Sequence, residues 1–279
     1  MTGNRLGPFA RILRHVVLMT LAVVIVAPFV WMVLCSFKTQ SEILSAEIRL
    51  IPHTWAAVEN YTAALTRVPM LRFLLNGVIV TLVIFLLQVL VNLPAAYALA
   101  KLRFRGRSAF LGLVLLCLLI PVHATAIPTY IMFYKAGLLN TYASLILPFT
   151  ISVFGIFLMR QFFMTVPDDL IDAARVDGMS EIGIVWRVML PTAVPALVAF
   201  GIFSVVAHWN DYFWPLIVVA DQALYTPPLG VAFFRLNDQG TSYGPLMAAA
   251  TISIAPLVIA FLLAQRRFIE GITLTGMKA

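Results

Sequence analysis

Six long apolar runs alternate with polar segments along the chain, at about residues 16–37, 73–99, 109–128, 142–159, 193–220 and 245–264. Each is long enough to cross the hydrocarbon core as a helix, which takes roughly 20 residues. Lipid offers no partner for backbone N–H and C=O groups, so a spanning segment must satisfy them internally, and the helix is the default. The pattern therefore predicts an all-α membrane protein with six transmembrane helices, read as one transmembrane domain over 1–279. The first run is too long for a signal-peptide core and lacks a small-x-small cleavage site. It reads as a retained first span.

The polar segments between the runs differ in length and character. Two long ones, at about 38–72 and 221–244, fall after the first and fifth runs, and the latter contains "RLNDQGTSYGP", whose Gly, Asn and Asp mark a loop. A third, 160–192, lies between the fourth and fifth runs and keeps a helical pattern. The start of the chain, "RLGPFARILRH", reads either as a short interfacial helix with Phe9, Ile12 and Leu13 toward lipid, or as a frayed basic end.

Composition agrees with a membrane class. The chain is 62% hydrophobic and 11% charged, with mean hydropathy +0.97, where soluble domains carry about 25% charged residues. Its net charge of +7 does not point to nucleic acid, because the cations sit at the ends of apolar runs. Thirteen of the 19 Lys and Arg lie on one side of the predicted spans: Arg5, Arg11, Arg14, then "KLRFRGR" at 101–107, then Arg160, Arg175 and Arg187, then Arg266, Arg267 and Lys278. The other side holds Lys38, Arg49, Arg67, Arg72, Lys135 and Arg235. The positive-inside rule then places both termini and the 160–192 segment in the cytoplasm. Cys35 and Cys117 lie inside apolar runs, without metal spacing, and read as small buried hydrophobes.

The 160–192 segment concentrates acidic charge: Asp168, Asp169, Asp172, Asp177 and Glu181 are five of the chain's 12 acidic residues. Thr165 ahead of Asp168, with Pro167 in the first turn, fits a helix start. Leu170, Ile171 and Ala174 fall on one face. Asp177-Gly178 stops this helix, because Gly tolerates the left-handed cap. Ser180 caps a second helix, with Ile182, Val185, Trp186 and Met189 on its apolar side. Clustered carboxylates are repelled by anionic lipid, so a protein partner suits this helix–turn–helix better than a headgroup surface.

"DAARVDGMSEIGIVWRVMLP" resembles the EAA loop of ABC importer permeases, in which Glu-Ala-Ala, Gly, Ile and Leu-Pro recur at fixed spacing. Asp172, Ala173, Ala174, Gly178, Val188, Leu190 and Pro191 take those places. Further stretches are similar to the carbohydrate-type branch, the one like the maltose and glycerol-phosphate permeases. They are "SFKTQSEIL", "ENYTAAL", "RQFFMTVPDDLIDAARVDG", "WNDYFWPL", "YGPLMAAA" and the tail "QRRFIEGITLTGMKA", which departs from the usual pattern at Thr275 and Ala279. The resemblance covers nearly the whole chain. It implies that the loop is a cytoplasmic coupling helix docked in a groove of an ATP-binding subunit, with Asp172, Ala173, Ala174, Gly178, Leu190 and Pro191 as its coupling residues. The gripped surface is expected at Ala173 and Ala174. It also implies a second homologous permease, two copies of the ATPase, and an external substrate-binding protein touching the 38–72 and 221–244 loops. The tail is expected to reach toward the ATPase dimer. The chain itself carries no GxxxxGK[ST] and is expected to bind no cofactor or metal. ATP and Mg belong to the partner ATPase.

Polar groups inside spans are costly and hence informative. His208, Trp209, Asn210, Asp211 and Tyr212, with Trp214, stand within the fifth run. Rings beside amide and carboxylate groups suit a sugar, whose faces stack and whose hydroxyls need paired donors and acceptors. The alternatives are helix packing, an external gate, or an aromatic belt. His123 and Thr125 in the third run are further cavity candidates. Gln88 and Asn92, four residues apart, share a face of the second run and either line the cavity or hold helices together. An ion-coupled carrier acting alone is the competing reading, and it has few titratable groups to work with (Asp211, His208, His123). No paired Asp, HExxH or Ser–His arrangement supports an intramembrane enzyme.

Overall fold

A computed structural model describes residues 7–235 and 241–276. Arg5, the centre of the 221–244 loop and the terminal residues Met277, Lys278 and Ala279 lie outside the described residues, as do the tail side chains beyond Gln265, including Arg266 and Arg267. Among the described residues every regular element is helical.

The elements run α1 (Pro8–Cys35), α2 (Gln40–Ile43), α3 (Ala57–Thr66), α4 (Met70–Lys101), α5 (Arg107–Leu118), α6 (Ala126–Lys135), α7 (Tyr142–Ile146), α8 (Val153–Phe163) and α9 (Asp168–Val176). There follow α10 (Glu181–Ile184), a π turn (Val185–Met189), α11 (Leu190–Thr192), α12 (Val194–Trp209), α13 (Phe213–Val218), α14 (Pro227–Ala232) and α15 (Tyr243–Gly276). Among the described residues, three helices are long and apolar enough to cross a membrane: Phe9–Cys35, Met70–Lys101 and Tyr243–Leu263. Three bent pairs raise the number to six if each is one span: α5 with the segment His123–Lys135 at 94°, Tyr142–Phe149 with α8 at 40°, and Glu181–Thr192 with α12 at 84°.

The expected runs 109–128, 142–159 and 193–220 are therefore not straight helices. Pro121 follows α5, lacks an N–H and adopts extended backbone before a 3-10 turn at Val122–Thr125. In the fifth run the helix stops at Trp209 and resumes at Phe213. The start of the chain differs from both expectations for it. Phe9, Ile12 and Leu13 belong to α1 itself, which is continuous from Pro8 with Pro at its first turn, where a missing N–H costs nothing.

The chain forms two compact units, Met1–Met70 with Val231–Ile254 and Leu71–Gly230 with Ala255–Ala279. In the first, residues 11–31 of α1 are exposed all round, as an apolar helix meant for lipid or another chain would be. The link after α1 is fixed by Asn60 of α3, whose Nδ2 donates to the carbonyls of Ser36 and Lys38, both at 2.9 Å.

In the second unit α4 is common to two cores. Its Val80 and Ile84 pack with Leu145, Ile146, Trp214 and Val218. Its Leu93, Ala96 and Tyr97 pack with Met159 and Phe163 of α8, Ile171 and Ala174 of α9, then Ile184, Met189 and Phe200. Lipid gives apolar side chains little reason to prefer protein, so close packing and polar bonds hold such helices together. The end of α4 is fixed by Arg107, whose guanidinium donates to the carbonyls of Leu99 (3.0 Å) and Ala100 (2.9 Å), with Arg160 adding a 3.1 Å bond to Leu99. Cations suit the negative end of a helix dipole.

Candidate functional site

Two groups of sequence-selected residues have defined surroundings, both in the second unit. One is the segment Asp168–Thr192. The other is the polar set on α4, α12 and the α12–α13 break.

Asp168 and Asp169 occupy the first turn of α9, where exposed N–H groups favour negative charge. Thr165 is not its cap: the residue before α9 is Pro167, and the Thr165 hydroxyl donates to Phe162 O at 2.7 Å. The other end of α9 closes as the sequence indicates. Gly178 has φ +79°, its N–H donates to Arg175 O at 3.0 Å, and Met179 N–H donates to Ala174 O at 3.0 Å. That pair of bonds is a Schellman closure, which needs a left-handed residue at this position. Ser180 then caps α10 by accepting from Gly183 N–H at 3.2 Å. Pro191 ends the segment. It offers no N–H, and its ring crowds the carbonyl four residues back, so the turn before it widens into the π form.

The faces differ from the expected ones in instructive ways. Ile171 and Ala174 face inward, and Ala174 is 5% exposed within the core built on α4. Leu170 faces outward. On the second helix the inward set is Ile184, Val185 and Met189, while Ile182 is exposed. The two alanines are thus separated in role: Ala173 is exposed and Ala174 belongs to the chain's own packing. Val176 is 88% exposed beside it. Of the remaining coupling residues, Asp172, Gly178 and Pro191 are exposed and Leu190 is half-buried against the core.

Charges bind the segment together. Arg175 donates to Asp172 Oδ1 and to Glu181 Oε1, each at 2.9 Å, so it spans the Gly178 turn. Tyr97 of α4 donates to Glu181 Oε2 at 2.5 Å. Lys101 donates to Val166 O at 2.6 Å and to Asp168 Oδ1 at 2.5 Å. A polar cleft of about 400 Å³ lies here, lined among others by Lys101, Arg103, Asp168, Asp172 and Arg175. The hydrogen bond from Lys101 holds the Asp168 carboxyl below the usual carboxylate range. Arg175, then Tyr97, do the same for Glu181, and Glu181 in turn raises Arg175 above its ordinary value.

In the second group, Gln88 is 3% exposed and ties three elements. Its Nε2 donates to Phe149 O at 2.8 Å and lies 3.2 Å from His208 Nε2, while its Oε1 accepts from Ser204 at 2.6 Å. The Phe149 carbonyl only accepts, which fixes the amide orientation and makes His208 Nε2 the acceptor. Asn92 is 1% exposed. Its Oδ1 accepts from Ser152 N–H at 3.2 Å, and its Nδ2 is buried without a hydrogen-bond partner among the described residues. Gln88 and Asn92 therefore bond to neighbouring backbone and side chains.

The run from His208 to Tyr212 is dispersed by the break. Trp209 is buried at the end of α12. Asn210 is exposed and donates to Val206 O at 2.8 Å. Asp211, two residues before α13, accepts from the Trp214 N–H in the first turn of that helix at 3.2 Å. Tyr212 is exposed and Trp214 is buried, with its indole N–H on Ser144 O at 2.7 Å. His123 is exposed with its ring 4.7 Å from that of Phe213, and Thr125 is also exposed. Three residues with side-chain bonds to these two groups carry no site signal in the sequence: Ser204, Tyr97 and Lys101. A lone Ser and a Tyr in apolar runs carry no spacing signal, and Lys101 reads only as a topology anchor. Asn76 carries none either, bonding to Ala223 O and Tyr225 O at 2.9 Å and accepting from the Tyr142 hydroxyl at 2.6 Å.

Comparison with known proteins sets this geometry in a family. Residues 90–273 match the model of the binding-protein-dependent transport system inner membrane component. The arabinooligosaccharides transport system permease protein of Halalkalibacterium halodurans is 35% identical over 92% of this chain and 93% of its own. The sn-glycerol-3-phosphate transport system permease protein of Agrobacterium fabrum is 30% identical over 99% of both. A crystal structure of a bacterial ABC transporter involved in the import of the acidic polysaccharide alginate shares the fold, with TM-score 0.82 and 23% identity over 96% of this chain and 99% of that one. The long apolar helices, the capped segment Asp168–Thr192 within the matched region, and full-length relatives of this kind place the chain in the family of inner-membrane components of binding-protein-dependent transport systems.

Proposed function

We propose that the chain is one of two homologous permease subunits of an ATP-driven importer for a sugar or sugar derivative, including polyols and glycerol-phosphate-like compounds. Support for the substrate class comes from relatives named for arabinooligosaccharides and sn-glycerol-3-phosphate and from the sugar-compatible groups near the α12–α13 break. The cation distribution supports cytoplasmic termini and a cytoplasmic Asp168–Thr192 segment.

The observation that carries the mechanism is that this segment is closed at the Gly178 turn and at the Ser180 cap, is anchored through Ile171, Ala174 and Ile184, and still presents Ala173, Val176 and Ile182 outward. Small and apolar side chains on a rigid two-helix projection suit a groove in a folded partner. The partner is a separate ATPase dimer, which holds the ATP and Mg. Asp172, Ala173, Gly178 and Pro191 form or shape the docking surface, and Ala174 and Leu190 seat it on the spans. Closure of the ATPase subunits moves the segment, and the spans change access around a central site. A broken helix inside a span exposes backbone carbonyls and amides that suit a polar substrate, which is why His208, Trp209, Asn210, Asp211 and Tyr212 stay assigned to the path. Gln88, which bonds to His208, is a further candidate for that path, as are Asn92 and His123. An external binding protein delivers substrate to the 38–72 and 221–244 loops.

Co-expression with candidate ATPase, second permease and binding protein from neighbouring genes tests this reading. The expected result is a co-purifying complex that takes up sugar only with ATP. Uptake by this chain alone, driven by a proton or sodium gradient, would replace it with an ion-coupled carrier.

A further inference from the structure

Tyr97 and Lys101 lie four residues apart on one face of α4 and meet the projecting segment at two separate points. Tyr97 is 1% exposed, packed with Ile171, Ala174 and Ile184, and its hydroxyl reaches Glu181 at the start of α10. The Lys101 side chain is 8% exposed, and its ammonium reaches Val166 O and Asp168 at the start of α9. Arg175 joins α9 to α10 through Asp172 and Glu181. Both short helices are thereby fastened at their N-terminal ends to one face of one long helix.

Burying a phenol and an ammonium is costly unless each is paired. An apolar side chain at either position would carry no such desolvation penalty. Paired polar groups, unlike apolar contacts, are satisfied in only one register. We propose that Tyr97 and Lys101 are positioning residues that lock the projecting segment to α4, so that the two move as one body when the ATPase closes. The proposal rests on the reading of Asp168–Thr192 as the docked segment. Because α4 also carries Gln88, bonded to Ser204 of α12, the lock gives motion of the segment a polar connection into the spans.

The test uses the full complex in proteoliposomes, with Cys35 and Cys117 replaced by alanine and spin labels at Val176 and Leu90, both exposed. Distances are read before and after trapping with ATP and vanadate. The unmodified sequence at 97 and 101 should give one narrow distance that trapping leaves unchanged. Tyr97→Phe, which keeps the ring, and Lys101→Met should broaden it. They should also lower the ratio of binding-protein-stimulated to basal ATP hydrolysis roughly tenfold, about 1.4 kcal/mol, the scale of a hydrogen bond to a charged group. Lys101→Arg should restore both readouts. Wild-type distances and ratio in Tyr97→Phe and Lys101→Met would overturn the proposal. Co-purification of the ATPase reads docking separately: its absence with the wild-type chain strikes the docking reading, and the distances measured on the chain alone still decide whether the segment and α4 are locked.

Discussion

Ser204 of α12 and Gln88 of α4 are joined across 116 residues of sequence by a hydrogen bond of 2.6 Å. The same amide also holds Phe149 O and faces His208, so one side chain links three elements of the second unit. Inside a membrane such bonds average about 0.6 kcal/mol and reach about 1.7. Gln88→Ala removes several at once and leaves Ser204 and Phe149 O without that partner. It should cost about 1–3 kcal/mol, whereas Ser204→Ala should cost under about 2 kcal/mol. Thermal unfolding of the detergent-purified protein ranks the two.

Gly155 on α8 sits where a side chain would collide. A Cβ there would stand 2.5 Å from Asn92 Nδ2 and 2.7 Å from two ring atoms of Phe200. Gly155→Ala should destabilise the protein by about 1–3 kcal/mol, as over-packing does. Gly112→Ala in α5, where an added Cβ would meet no atom outside its own helix backbone within 4 Å among the described residues, should be neutral or stabilising by up to about 1 kcal/mol. The same melting assay compares them.

Gly178→Val and Ala174→Leu should fail in different ways. At φ +79° with open space around it, a valine strains the turn by roughly 1–2 kcal/mol without disturbing the core. That variant should reach the membrane in normal amount and lose ATPase co-purification. Ala174→Leu presses on Ile171, Tyr97 and Ile184 instead, and should lower thermal stability first. Quantitative blotting of membranes beside pull-down of the ATPase separates the two outcomes.

The ion network has a signed pH dependence. Asp168 and Glu181 are carboxyls whose folded values lie below their ordinary ones. Their contribution is therefore fully present above the unfolded carboxylate value, about 4, and is lost as pH falls through the lower folded value. Stability and coupling should thus be flat between pH 6 and 8 and weaken only in acid. Glu181→Gln should weaken coupling throughout pH 6 to 8, read as ATP hydrolysis in proteoliposomes, and should remove part of the acid dependence, read as thermal stability as pH falls below about 4.

Much of this architecture was readable from local pattern. The helices α1, α4 and α15 follow from apolar length, and the turn at Gly178 and the Ser180 cap follow from residues within three positions of each other. The breaks were not readable. Pro121 and the Asn210–Tyr212 interruption sit inside apolar runs whose hydropathy hides them. Thr165 misled because an extended Pro167 already starts α9. Facing was legible only where one face is plainly apolar: Ala173 and Ala174 differ by one residue, a rotation of about 100°, and only packing against α4 shows which turns inward. Contacts such as Tyr97 with Glu181, 84 residues apart, have no local signal at all.

The exposed side of Asp168–Thr192 is the surface proposed to dock on an ATPase. Single cysteines at Ala173, Ala174 and Val176, in a chain with Cys35→Ala and Cys117→Ala, test it by cross-linking in membranes that contain the co-expressed ATPase. Strong cross-links are expected from positions 173 and 176, and none from 174, which is buried in this chain's own core. Equal cross-linking from all three positions, or none from 173 and 176 while uptake persists, would contradict this docking.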